Sequence, residues 1–136
     1  MIYRVLFFSV AVFGLTACQP TADEQAAPMM QRIDSLYEHH EDAQALNAIR
    51  ELRAKFPEAV KSRQRALKIW QQASLRMTQE DIGRTDSALK ATTEALGRSS
   101  SLGERNRLRV RRDSLQIRFD ALCGTVRVIQ HRQQEK

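Results

Sequence analysis

Two cysteines, three histidines and a surplus of arginine are the residues of this chain whose chemistry depends on their spacing. Cys18 closes the run Leu15-Thr16-Ala17-Cys18. Before it stand Met1-Ile2-Tyr3-Arg4, with one basic side chain, and then Val5 to Leu15, apolar except for Ser9 and Gly14. That run is too short to cross a bilayer as a helix but fits the apolar region of a secretory leader. His39-His40, flanked by Glu38, Glu41 and Asp42, is the one grouping with metal-ligand residue types. Adjacent histidines on a helix point about 100° apart and chelate one ion poorly, unlike a pair four apart, so a polar helix junction is expected there. His131 stands by itself near the C-terminus, where solvation is expected. The pattern Arg32-Ile33-Asp34-Ser35 recurs as Arg84-Thr85-Asp86-Ser87 and Arg111-Arg112-Asp113-Ser114. Acid and base neighbours on solvated helix faces account for it. No serine sits in a nucleophile turn and no glycine-rich phosphate loop is present, so neither an enzyme, a cofactor nor a resident metal is expected.

The segment 1–18 resembles the precursors of bacterial lipoproteins, with Leu15-Thr16-Ala17-Cys18 as the lipobox. The resemblance implies cleavage before Cys18 and acylation of that residue by several chains. Each buried CH₂ contributes roughly 0.8 kcal/mol and stable anchoring takes more than one chain, so attachment to the membrane would be permanent. Gln19, rather than Asp, follows the cysteine, which in the sorting pattern of some bacterial envelopes favours the outer membrane over the inner.

Removing residues 1–17 from the 136 leaves 119, enough for one modest domain. The leader takes Arg4 from the 22 basic residues and none of the 16 acidic ones, leaving a net charge of +5. Once acylation consumes Cys18, Cys123 is the sole thiol, so an internal disulfide is excluded. Cys123 either packs as a small residue or, in an oxidising envelope, links two copies.

Glycine and proline are scarce and bulky apolar residues few, which points to an all-α chain with a thin core. Gln19 to Pro28 has two prolines and no apolar period, and reads as a flexible tether of about ten residues with a reach of roughly 30 Å. From Met29 the period is helical: Met30, Ile33, Leu36 and Tyr37 share one face. Asp42 is placed to cap a second helix with Leu46, Ile49, Leu52 and Phe56 as its stripe. Pro57 ends that helix and can begin the next. Ala45, Ile49 and Leu52, followed by Phe56-Pro57 and a further helix, resemble a tetratricopeptide-like helical hairpin over residues 29–56, though no second full repeat follows. The resemblance implies architecture and no peptide groove.

Residues 57–136 read as two long helices. In the first, Ala66, Trp70, Ala73 and Met77 form a face expected to pack on the preceding hairpin. Further on, Leu75, Ile82, Leu89 and Leu96 recur every seven residues, with Thr78, Thr85 and Thr92 in the companion row. A glycine- and serine-rich loop spans 97–103. Beyond it Leu108, Leu115, Leu122 and Ile129 repeat at the same interval beside Arg112, Phe119 and Val126. Alternation at Leu108-Arg109-Val110 and from Leu115 to Phe119 also suits strands, but the sevenfold repeat continues far beyond them. Two such helices joined by a short loop form an antiparallel coiled-coil hairpin, folding about Ser100 so that Ile82 meets Leu115 or Phe119. The threonines and Arg112 weaken this seam, so packing against the first two helices, a second copy or another protein is expected to complete it.

The basic residues form two groups, Lys61, Arg63, Arg65 and Lys68, and Arg105, Arg107, Arg109, Arg111 and Arg112 near the hairpin tip. In a cytosolic chain they would suggest nucleic acid. With an export leader, anionic lipids, envelope glycans or an acidic protein fit better. The sequence therefore predicts a membrane-anchored helical scaffold or protein-interaction adaptor of the cell envelope, or alternatively a module binding anionic lipids or glycans through its tip.

Overall fold

The computed structural model describes residues 19–135; the leader and Cys18 lie outside them. The described residues form four helices and no strand: α1 (Ala22–Glu38), α2 (Asp42–Lys55), α3 (Val60–Arg98) and α4 (Leu102–Gln134). The chain is all-α, as its periodicity predicts. α1, α2 and the first third of α3 pack around Met30, Ile33, Ile49, Leu52 and Ile69, with Ala26, Ala48 and Ala66 between them. Burying these aliphatic groups, at about 25 cal/mol per Å² of apolar surface, holds the root of the molecule together. α4 packs along α3 and touches neither α1 nor α2.

The helix limits correct four expectations. The tether is shorter than expected, because α1 already begins at Ala22. Thr21 accepts a hydrogen bond from the Glu24 amide at 3.2 Å while the Glu24 carboxylate accepts from the Thr21 amide at 2.7 Å. This capping box ties up two amides that a helix start would leave unpaired. Pro28 is carried inside the helix on its exposed side, at the cost of the bond its amide would have made to the Glu24 carbonyl. Asp42 is the first residue of α2 and not its cap, since its carboxylate is drawn to Arg76. α3 begins three residues after Pro57, past a turn in which the Ala59 amide donates to Phe56 O at 3.2 Å. Gly97 and Gly103 both lie within helices, leaving a loop of Ser99 to Ser101.

The face of α3 turned to α1 and α2 consists of Ser62, Ala66, Ile69 and Ala73. Three of the four are small, which lets the helices approach closely. Trp70, expected on this face, does not fit there and turns toward α4, 37% exposed. Its neighbour Ile69 takes the inward position.

α3 and α4 are joined by three residues and run antiparallel. Asp81 Oδ1 lies 4.0 Å from Arg118 Nη2, a pair 19 residues before and 18 after Ser100. On α4, Leu108, Arg112, Leu115, Phe119, Leu122, Val126 and Ile129 are partly buried while most other positions are exposed, and none is fully buried. Across the seam Leu75, Ile82, Leu89 and Leu96 are partly buried and Thr85 and Thr92 fully so. Thr78 and Thr92 donate their hydroxyls to the carbonyls of Ser74 and Ala88, each at 2.7 Å. Bonding back to their own helix satisfies these groups and leaves a methyl for packing.

The turn between α1 and α2 ends at His40, whose φ of 59° lies in the left-handed region. The Glu41 amide donates to Leu36 O at 2.9 Å and the His40 amide to Tyr37 O at 3.1 Å, the bond pattern of a helix stop that glycine normally occupies. A side chain in that conformation costs roughly 1–2 kcal/mol. His40→Gly is expected to raise stability by about 0.5–1 kcal/mol, the strain relieved less the added freedom of the unfolded chain, as read from urea unfolding. Unchanged or lower stability would show that the His40 ring makes a compensating contact.

Candidate functional site: the root and the groove between the long helices

The residues nearest the expected anchor are fastened to the long arm. Ala59, the residue before α3, offers no side-chain cap. Asp23 of α1 supplies one from outside: its Oδ1 accepts from the Ser62 amide and hydroxyl, each at 2.8 Å, and its Oδ2 from the Lys61 amide at 3.4 Å. A carboxylate at the positive end of a helix macrodipole is favoured. The Ser62 amide, joined by its hydroxyl, holds the Asp23 pKa below its ordinary 3.8. Further along α3 toward the tip, Arg76 grips Asp42 through Nε and Nη2, gives Nη2 to Tyr37 O at 3.3 Å, and lies 4.8 Å over the Tyr37 ring. Hydrogen bonding to Asp42 raises the pKa of this guanidinium, which stays charged. This fork clamps the α1–α2 turn onto α3.

His39 Nδ1 lies 2.7 Å from Ser35 O, and His39 and His40 form the turn that follows α1. No set of three or more His, Cys, Asp or Glu gathers into a metal-holding group among the described residues. Cys123 is a free, partly buried thiol on α4. Arg105, Arg107, Arg109 and Arg111 are exposed and have no carboxylate partner among the described residues, whereas Arg112 pairs with Asp113 at 2.6 Å.

One concavity has no counterpart among the sequence expectations. Below the Asp81–Arg118 pair a groove of about 800 Å³ opens between α3 and α4, lined by Leu67, Trp70, Ser74, Ala121, Gly124 and Val128. It continues into a cleft bearing Lys61, Arg65, Lys68 and Arg132. The sequence signal was present on α4. Val110, Ile117 and Gly124, and Ser114, Ala121 and Val128, form a second pair of rows seven apart, beside the seam rows. Val110, Ile117 and Val128 are 71%, 70% and 53% exposed.

Fold and surface together define an all-helical protein with a packed root and a long two-helix arm. No known family, characterised protein or solved structure matches the chain.

Acid should loosen the root through Asp23. Its folded pKa is depressed, so its contribution is fully present above the unfolded value and is lost as pH falls through the folded one. Stability should therefore decline below about pH 4. In Asp23→Asn, which still caps but does not titrate, this acid limb should flatten. Asp23→Ala should weaken the protein at neutral pH as well. Identical acid limbs in thermal melts of wild type and Asp23→Asn would remove Asp23 from the account.

Proposed function

We propose that the chain is a lipid-anchored adaptor of the bacterial cell envelope, without catalysis, whose long helical arm meets a protein partner. The observation that carries this reading is α4 itself: it touches only α3, and it leaves Val110, Ile117 and Val128 uncovered on a second heptad face. An isolated helix with uncovered apolar rows is a surface awaiting another helix. The leader and Cys18 support attachment to a membrane, most simply the outer membrane. At 1.5 Å per residue the 39 residues of α3 span about 58 Å. With α1 starting at Ala22 and Asp23 bonded to Ser62, an acylated Cys18 would hold the root at the bilayer and leave the tip free to reach outward.

The unpaired arginines of the tip favour a second reading, in which Arg105, Arg107, Arg109 and Arg111 bind an anionic glycan or lipid. That ligand would sit at the end of the arm remote from the anchor.

Both readings depend on Cys18. Wild type should incorporate labelled palmitate and sediment with membranes, and Cys18→Ser should do neither. An unlabelled wild-type chain recovered in the soluble fraction would overturn the proposal. The two readings separate by salt: adaptor binding should survive moderate ionic strength and fail in Ile117→Asp, on the uncovered face. Glycan or lipid binding should collapse with salt and with Arg105, Arg107 and Arg109 changed to Gln.

A further inference from the structure

Resting on the adaptor reading, the groove between α3 and α4 carries a more specific assignment. Its walls are apolar at the centre: Leu67 and Trp70 face Ala121, Gly124 and Val128. Helical geometry continues this face up α4 through Ile117 and Val110. The repeat of seven is the spacing of helix-to-helix packing and not of an acyl chain. Gly124 and Ala121 make the floor shallow enough for a helix backbone to come close. A methyl group built at Gly124 would meet nothing nearer than Arg127 Nη2 at 4.0 Å, so the space there is open. The groove is also continuous with the seam already joining α3 to α4, and a third helix laid in it would complete a three-helix arrangement.

Charge selects the occupant. α4 carries eight arginines against three acids, and α3 eight basic residues against four acids. Arg118 stands at the upper end of the groove, only loosely paired with Asp81 at 4.0 Å. At the lower end Lys61, Lys68 and Arg132 outnumber Glu135, the one acid that lines the groove and its cleft. A second copy offers no matching element. Its one acidic helix, α1, has its apolar face of Ala26, Met30 and Ile33 already buried, with Asp23 and Asp34 engaged by Ser62 and Arg65. We infer that the groove docks an acidic amphipathic helix of another protein. Its apolar side would cover Trp70, Ile117 and Val128, and its carboxylates would meet Arg118, Arg132 and Lys68.

Trp70 is the sole tryptophan and reports occupancy directly. The mature acylated protein in zwitterionic detergent is titrated with a peptide of about three heptads, leucine at the apolar positions and glutamate elsewhere. The expected result is a saturable blue shift of Trp70 emission. A scrambled peptide of the same composition should bind at least about tenfold more weakly, a difference of about 1.4 kcal/mol. Ala121→Phe, which fills the groove from an exposed position, should weaken binding by a similar factor with helicity unchanged. If that variant loses helicity, Val128→Asp serves instead. Changing Arg105, Arg107 and Arg109 to Gln should leave the affinity within about twofold at moderate salt. Equal binding of the scrambled peptide, indifference to both groove variants, or a Trp70 response to phosphatidylglycerol vesicles in place of the peptide would each overturn the assignment. So would a concentration-dependent dimer that buries Trp70. In cells, a photo-crosslinker at Ile117 or Val128 should yield partner adducts. Adducts only elsewhere on the arm would overturn the groove while leaving the adaptor reading standing, and none at any position would overturn both.

Discussion

α3 is the one helix that every other element touches, and the fold depends on how it is shared. Its first third offers Ser62, Ala66 and Ala73 to α1 and α2, so that small side chains permit close helix contact on that side. Its opposite side, and its length beyond about Ile82, belong to α4 alone. The division follows from side-chain size along one helix. Where α3 is lined with small groups it forms a core, and where Leu and Thr alternate every seven residues it can hold only a single companion.

The polar groups reinforce that division. Asp23 caps α3 from α1, and the Arg76–Asp42 fork with the Tyr37 ring clasps the α1–α2 turn. A charge pair that is largely shielded, such as Arg76 with Asp42, has a net worth limited by desolvation, but breaking it by removing one member leaves a costly unpaired charge. These contacts lie on the root side of the molecule. The arm has no counterpart. Thr78 and Thr92 bond back to their own helix, Arg112 turns to its neighbour Asp113, and its cross-helix ion pair is the long contact of Asp81 with Arg118. A firmly built root and a lightly held arm suit a tethered molecule whose outer part must accept another chain.

Much of the fold was legible in the sequence because a sevenfold repeat survives as a one-dimensional trace. The rows Leu75 to Leu96 and Leu108 to Ile129, with a short loop between, dictate an antiparallel hairpin, and the Asp81–Arg118 contact lies within a residue of the expected register. The misreadings have physical causes. Pro20 and Pro28 masked the Thr21-x-x-Glu24 capping box, which was the stronger signal. Asp42 resembles a cap because of its position, but its partner lies 34 residues away, beyond the range of local pattern. Trp70 and Ile69 differ by one position, and only the width of the contacting surface decides which of them turns inward. The groove was hidden for another reason. Its α4 rows contain Gly124, Ser114 and Ala121, which carry little hydropathy signal until α3 is laid beside them.

The claim that root and arm are held by different strengths of packing is tested most directly by native-state hydrogen exchange resolved along the chain. Amides of α1, α2 and the α3 segment around Ala66 to Ala73 should exchange only through global unfolding. Those of α4 and of α3 beyond about Ile82 should exchange through a separate opening of lower free energy, hastened by Ile82→Ala without effect on the root. Uniform protection across all four helices, with a single denaturant dependence, would contradict the account.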